Sequence, residues 1–135
     1  LLLFDMNIKR KSSDILAEQN DSYNDNKIDM TEEMVKLTKP FREALVDNID
    51  DIGYIMNEAW NIKKRLASKI TNTEIENIYQ LAVSGGADGA KVCGAGGGGF
   101  LMVYVQEKNK EELRYMMKDY KELEFGFDHE GASII

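Results

Sequence analysis

The chain has 135 residues, of which 43% are hydrophobic and 30% charged, and its formal net charge is −7. That length fits one domain able to bury roughly two-thirds of its unfolded surface, and the acidic balance speaks against a nucleic-acid groove or an anionic membrane surface, both of which select basic patches. The single cysteine, Cys93, excludes an intrachain disulfide and points to a reducing, cytoplasmic setting; with only one histidine, His129, a zinc site is also disfavoured.

No run approaches the ~20 apolar residues needed to span a bilayer. The opening Leu1-Leu2-Leu3-Phe4 is too short for a signal peptide and has no basic segment before it. It reads instead as a strand, Leu1–Met6. Because the chain starts with Leu inside that strand, the expectation is a fragment or domain of a longer protein.

After a polar, basic turn at Asn7–Lys11, Ser12 or Ser13 can cap a short helix running to Gln19. Asn20–Lys27, rich in Asn and Asp, reads as a mobile surface loop. Asp29-Met30-Thr31-Glu32 has capping-box spacing. Met34, Leu37, Phe41 and Leu45 then recur at helical steps and predict one apolar face. Pro40 should kink or split that helix, since it lacks a backbone donor. A further helix is expected from Asp50 to Leu66, with Ile52, Ile55, Met56, Ala59 and Trp60 inward. Another should be opened by the capping box Thr73–Glu76 and closed by Gly85-Gly86.

The texture changes after Gly86. Ala90–Cys93 and Phe100–Val105 read as strands on either side of a glycine run. Asn109–Glu112 should cap a helix carrying Leu113, Met116, Met117 and Tyr120. Glu124–Phe127 and Ala132–Ile135 are two further strand candidates. The order is thus β, several helices, then β–β–α–β–β. It predicts a single α+β domain over residues 1–135: a ferredoxin-like two-layer sandwich, with an antiparallel sheet and helices mainly on one face.

The glycine run Gly94-Ala95-Gly96-Gly97-Gly98-Gly99 matches G-x-G-x-x-G in form. The dinucleotide fingerprint needs a helix after the loop, but Phe100–Val105 is a strand. A Walker A loop needs Gly-Lys-Ser/Thr at its end, and this run ends in Gly98-Gly99-Phe100. What remains is a glycine loop between two strands. Five glycines in six positions are far more than a hairpin turn requires. The excess points to backbone N–H groups laid bare for an anion or for another backbone.

Gly89-Ala90-Lys91-Val92-Cys93-Gly94-Ala95-Gly96-Gly97-Gly98-Gly99-Phe100 resembles the third conserved motif of the galactokinase, homoserine kinase, mevalonate kinase and phosphomevalonate kinase (GHMP) superfamily. The whole chain is similar to the C-terminal domain of its sugar-kinase branch. Leu1–Phe4 followed by Ile8–Leu16 resembles the segment that opens this domain in D-glycero-D-manno-heptose 7-phosphate kinases. The resemblance implies ATP-dependent phosphoryl transfer to a sugar or sugar phosphate. It also implies a division of labour: the ATP loop, the Mg²⁺ ligand and the catalytic groups belong to an N-terminal kinase domain, the partner of this one. The isolated chain is then expected to be inactive and to bind no cofactor tightly, and Gly94–Gly99 to help close a phosphate site at the domain interface. Phosphoryl transfer, resting on positioning and electrostatics, tolerates such a split.

Other residues carry less. Lys91 can balance phosphate charge or sit as a solvated strand-end lysine. Arg10, within the basic cluster Lys9–Lys11, and Ser12 and Ser13 can meet a sugar phosphate or simply form a capped turn. Cys93 reads as an inert thiol, His129 as a bystander in a terminal turn and Trp60 as core. The alternative to a kinase domain is a free-standing ferredoxin-like module that senses a small metabolite through the same loop.

Overall fold

The computed structural model describes residues 1–9, 12–21 and 25–131. Strand alternation organises it. Leu2, Phe4, Ala90, Val92, Leu101 and Val103 are all buried in one cluster, because successive side chains on a strand face opposite ways and the register brings these six to one side. The strands are β1 (Leu2–Asp5), β2 (Gly89–Val92), β3 (Phe100–Tyr104) and the two-residue β4 (Lys121–Glu122). They pair antiparallel in the order β2-β3-β1-β4. This is the strand order of a ferredoxin-like β-α-β-β-α-β unit, with the first helical connection expanded to five helices: α1 (Ser12–Asp21), α2 (Asp25–Lys36), α3 (Thr38–Asp47), α4 (Asp51–Lys64) and α5 (Thr73–Ser84). A sixth, α6 (Lys110–Met116), joins β3 to β4.

The front core joins the sheet to Ile15 of α1, Trp60 of α4, Ile75, Ile78 and Ala82 of α5, and Leu113 of α6. Trp60 is fully buried, as its place in the helical pattern predicted. A second, smaller cluster holds Ala44 of α3, Ile52, Ile55 and Met56 of α4, and Tyr104 of β3, with Met102 against it. Since Met102 and Tyr104 alternate with the front-facing Leu101 and Val103, this cluster lies behind the sheet. Helix α4 therefore serves both layers.

Helix α4 comes unusually close to β2. A Cβ on Gly89 would lie 1.9 Å from the Gly53 carbonyl oxygen, so only glycine allows this approach. One turn on, the Asn57 amide donates to the Asp88 carbonyl at 3.2 Å, and its oxygen accepts from Ala90 N–H at 2.9 Å and the Tyr79 hydroxyl at 2.8 Å. The Tyr104 hydroxyl donates to Asp50 at 2.8 Å and fixes the start of α4.

Several local expectations shift. The segment read as a loop, Asn20–Lys27, is helical at its described residues: α1 reaches Asp21 and α2 begins at Asp25. Acidic residues favour a helix N-terminus, and Asp29–Glu32 falls inside α2 rather than opening it. Pro40 does split the pattern. The break falls at Leu37, and Pro40 is the third residue of α3, where its missing donor would be free anyway. Met34, Leu37 and Phe41 still line one side, facing α4, but that side is not fully buried and Leu45 does not continue it. Met34 and Leu37 are half-buried, Leu45 is 54% exposed, and Ala44 is the buried residue of α3. Asn72, not Thr73, caps α5 by accepting from Ile75 N–H at 2.9 Å. Asn109 makes no cap bond and instead donates to the Gly86 carbonyl at 3.5 Å. Among the described residues Glu124–Phe127 joins no strand: pairing ends earlier, at β4 and the Leu123 N–H bond to Leu3, 2.8 Å. The strand expected at Ala132–Ile135 lies outside the described residues.

Candidate functional site

The glycine loop joins β2 to β3, and its second half is held by backbone bonds. Gly97 N–H donates to the Ile70 carbonyl at 2.6 Å, and Gly99 N–H to the Ile8 carbonyl at 3.0 Å. The Gly99 carbonyl accepts from Met6 N–H at 2.9 Å, and Cys93 N–H closes the loop's base on Phe100 at 2.9 Å. At Gly98, φ is +153° and a Cβ would stand 2.4 Å from the Ile8 carbonyl oxygen. Glycine is required there by contact as well as by conformation.

The first half is open at Gly94, while Gly96 packs against Ile70. Gly94 is exposed with φ +68°, and a Cβ there would meet nothing within 4 Å. The N–H groups of Gly94, Ala95 and Gly96 have no acceptor among the described residues. These residues, with Ile8, Lys9, Cys93 and Gly98–Phe100, line a depression of about 510 Å³. Unpaired N–H groups beside a lysine make a concavity suited to an anion.

Lys63 of α4, which the sequence did not single out, reaches this loop and donates to the Gly94 carbonyl. Burial, and then the charge of Lys91, hold its ammonium below the ordinary value. Cys93 lies nearby: burial pushes its thiol up, with Lys91 and Lys63 pulling the other way. A thiol raised in this way is a poor nucleophile.

The sequence-predicted residues separate in space. Gly94, Ala95, Gly96, Gly98 and Gly99 line the depression and Gly97 does not, whereas Lys91 points to the back of the sheet and lines a groove with α2, α3 and α4. Ser13 is exposed on α1 and lies outside both linings. Ser12 starts α1, while Arg10 and the Ser12 side chain lie outside the described residues. Trp60 is core and His129 is exposed. Among the described residues, no group of three or more His, Cys, Asp or Glu could hold a metal ion, and no helix is long and apolar enough to cross a membrane.

The class of structure is a ferredoxin-like domain whose β2–β3 hairpin carries a half-open glycine loop. Residues 41–122 match the family described as GHMP kinases C terminal, and the chain belongs to that family. It is 29% identical to D-glycero-alpha-D-manno-heptose 7-phosphate kinase of Campylobacter jejuni, over 97% of this chain and 40% of that protein. It is 31% identical to the bifunctional fucokinase/GDP-fucose pyrophosphorylase of Arabidopsis thaliana, over 67% of this chain and 9% of that protein. Among solved structures, L. major mevalonate kinase in complex with R-mevalonate superimposes with a TM-score of 0.77 at 18% identity, over 87% of this chain and 37% of that one. The Methanococcus jannaschii mevalonate kinase gives 0.69 at 26%, over 90% and 37%. The chain thus spans well under half of each of these relatives.

Proposed function

We propose that this chain is the C-terminal part of an ATP-dependent sugar or sugar-phosphate kinase, with a heptose 7-phosphate as the favoured substrate and the cytoplasm as its setting. The observation that carries the reading is the half-open glycine loop. Its buried half is fixed to Ile8 and Ile70, and in this reading that anchoring keeps the N–H groups of Gly94, Ala95 and Gly96, which find no acceptor among the described residues, ready for a ligand. Preorganised donors of this kind stabilise charge without reorganising during reaction. Their chemistry fits phosphate oxygens, and Lys9 at the rim adds positive charge.

ATP, when bound, supplies the phosphoryl group. In this reading the loop positions a phosphate and excludes water from one wall of the cleft. The magnesium ion and the groups that activate the acceptor hydroxyl are assigned to an N-terminal domain. The identity to the Campylobacter heptose kinase over nearly the whole chain supports the choice of substrate.

The test is a phosphotransfer assay of the full-length gene product against heptose 7-phosphate, fucose, galactose and mevalonate. Preference for the heptose phosphate is the expected result. Turnover of mevalonate alone would overturn the substrate, and turnover of none, in a folded protein that binds a metabolite, would favour the regulatory-module alternative.

A further inference from the structure

The back of the sheet holds a second concavity, separate from the glycine-loop depression. Met34, Leu37 and Phe41 form one wall and Ile55, Met56 and Ala59 the other, with Lys91 and Thr38 as its polar lining. Its volume is about 300 Å³, at the lower end of what small-molecule sites occupy.

The charges beside it are unbalanced. Lys64, Lys110 and Arg114 are half-buried, and each faces a carboxylate: Glu76 at 3.5 Å, Glu107 at 3.3 Å and Glu122 at 2.8 Å. Lys63 and Lys91 are equally half-buried, yet neither faces a carboxylate among the described residues. They are also close enough to repel, since Lys91 adds to burial in lowering the Lys63 pKa. In a chain of net charge −7, two neighbouring cations with no counter-charge among the described residues are conspicuous. Removing like charges from water without a partner is costly, and an anion at Lys91 relieves that cost.

We propose that this groove binds a small amphipathic anion, its apolar chain lying on Met34, Phe41 and Met56 and its carboxylate at Lys91, with Lys63 behind. The site goes beyond the phosphotransfer reading and does not depend on it. Lys91 supplies a compact point charge, which suits a single anionic head group. The groove walls carry two methionines, whose flexible thioethers adapt to chains of varied shape. Because Lys63 also holds the Gly94 carbonyl, an occupant here sits one side chain away from the glycine loop.

The test is a titration of octanoate into the full chain carrying ¹³C-labelled methionine methyls. Met34 and Met56 report on the groove, while Met6 and Met117, buried in the front core, serve as controls for folding. Saturable shifts confined to Met34 and Met56 are expected, with octanol binding about tenfold more weakly. Lys91→Arg should keep that preference, and Lys91→Met and Lys91→Gln should lose it with the control signals unmoved. Absence of a saturable shift, because another part of the chain fills the groove or the groove closes, would overturn the proposal. So would equal affinity for octanol and octanoate, or binding unchanged in both Lys91→Met and Lys91→Gln.

Discussion

The β2–β3 hairpin and the α2–α3 arm are built on opposite terms. In the hairpin, backbone meets backbone: Gly89 on Gly53, Gly97 on Ile70, Gly98 on Ile8, with no room for a methyl group at Gly89 or Gly98. In the arm, side chains carry the contact and many do not find one. Val35, Leu45 and Val46 are 65%, 54% and 80% exposed. The hairpin should therefore respond to single atoms, and the arm hardly at all.

The sharpest test of that contrast is Gly98→Ala. The new methyl would press on the Ile8 carbonyl at 2.4 Å. Backbone cannot yield as a side-chain tip can, so a loss of about 4 kcal/mol or more is expected in urea unfolding. A loss below about 1 kcal/mol would mean the loop is looser than its bonds imply. Next comes the front core: Ile75→Ala removes a fully buried side chain and should cost about 2–5 kcal/mol. Gly94→Ala sharpens the comparison within the loop itself. It meets no atom within 4 Å but keeps φ at +68°, so thermal melts should show a loss of only about 1–2 kcal/mol. In the arm, Leu45→Ala is expected to stay within about 0.5 kcal/mol of the parent. A larger effect would show that the exposed apolar residues are covered in the intact protein.

The smallest expected effect is electrostatic. Arg114 forms a two-pronged pair with Glu122, at 2.9 and 2.8 Å, and its hydrogen bond holds the Glu122 carboxyl below its usual 4.5. The folded state then binds fewer protons than the unfolded state as pH falls through this range. The stabilisation is present above pH 4.5 and is lost on acidification through the folded value. Glu122→Gln should be slightly less stable than the parent at pH 7 and indistinguishable from it at low pH, in paired denaturation curves.

The same contrast decides what could be read from the sequence. The hairpin was legible because its strands alternate or run apolar and its glycines cannot be mistaken. Trp60 and the inward face of α4 were legible because one unbroken period runs through them. The arm was legible only in part: Met34, Leu37 and Phe41 do share one side, against α4, but beyond the break at Leu37 the buried position of α3 is Ala44 and not Leu45. Exposed Phe125 and Phe127 imitated a strand: they stack edge to face at 5.7 Å but pair with no strand among the described residues. Within the candidate site, the glycine run announced itself, but Lys63 did not. It lies 31 positions before Gly94, in the last turn of a helix, where a lysine is expected for the helix dipole alone. Nothing local in the sequence separates that role from a bond to a distant loop.

The Asn57 side chain has a consequence for how this domain meets others. β2 is an edge strand, and an edge strand ordinarily offers its outward N–H and C=O groups to a strand from another molecule. Here the amide of Asn57 already answers both Asp88 and Ala90, and α4 lies where an incoming strand would have to dock. The opposite edge, β4, is two residues long, too short to seed an extended ladder. With neither margin offering a long open ladder among the described residues, association falls to the faces and loops of the domain.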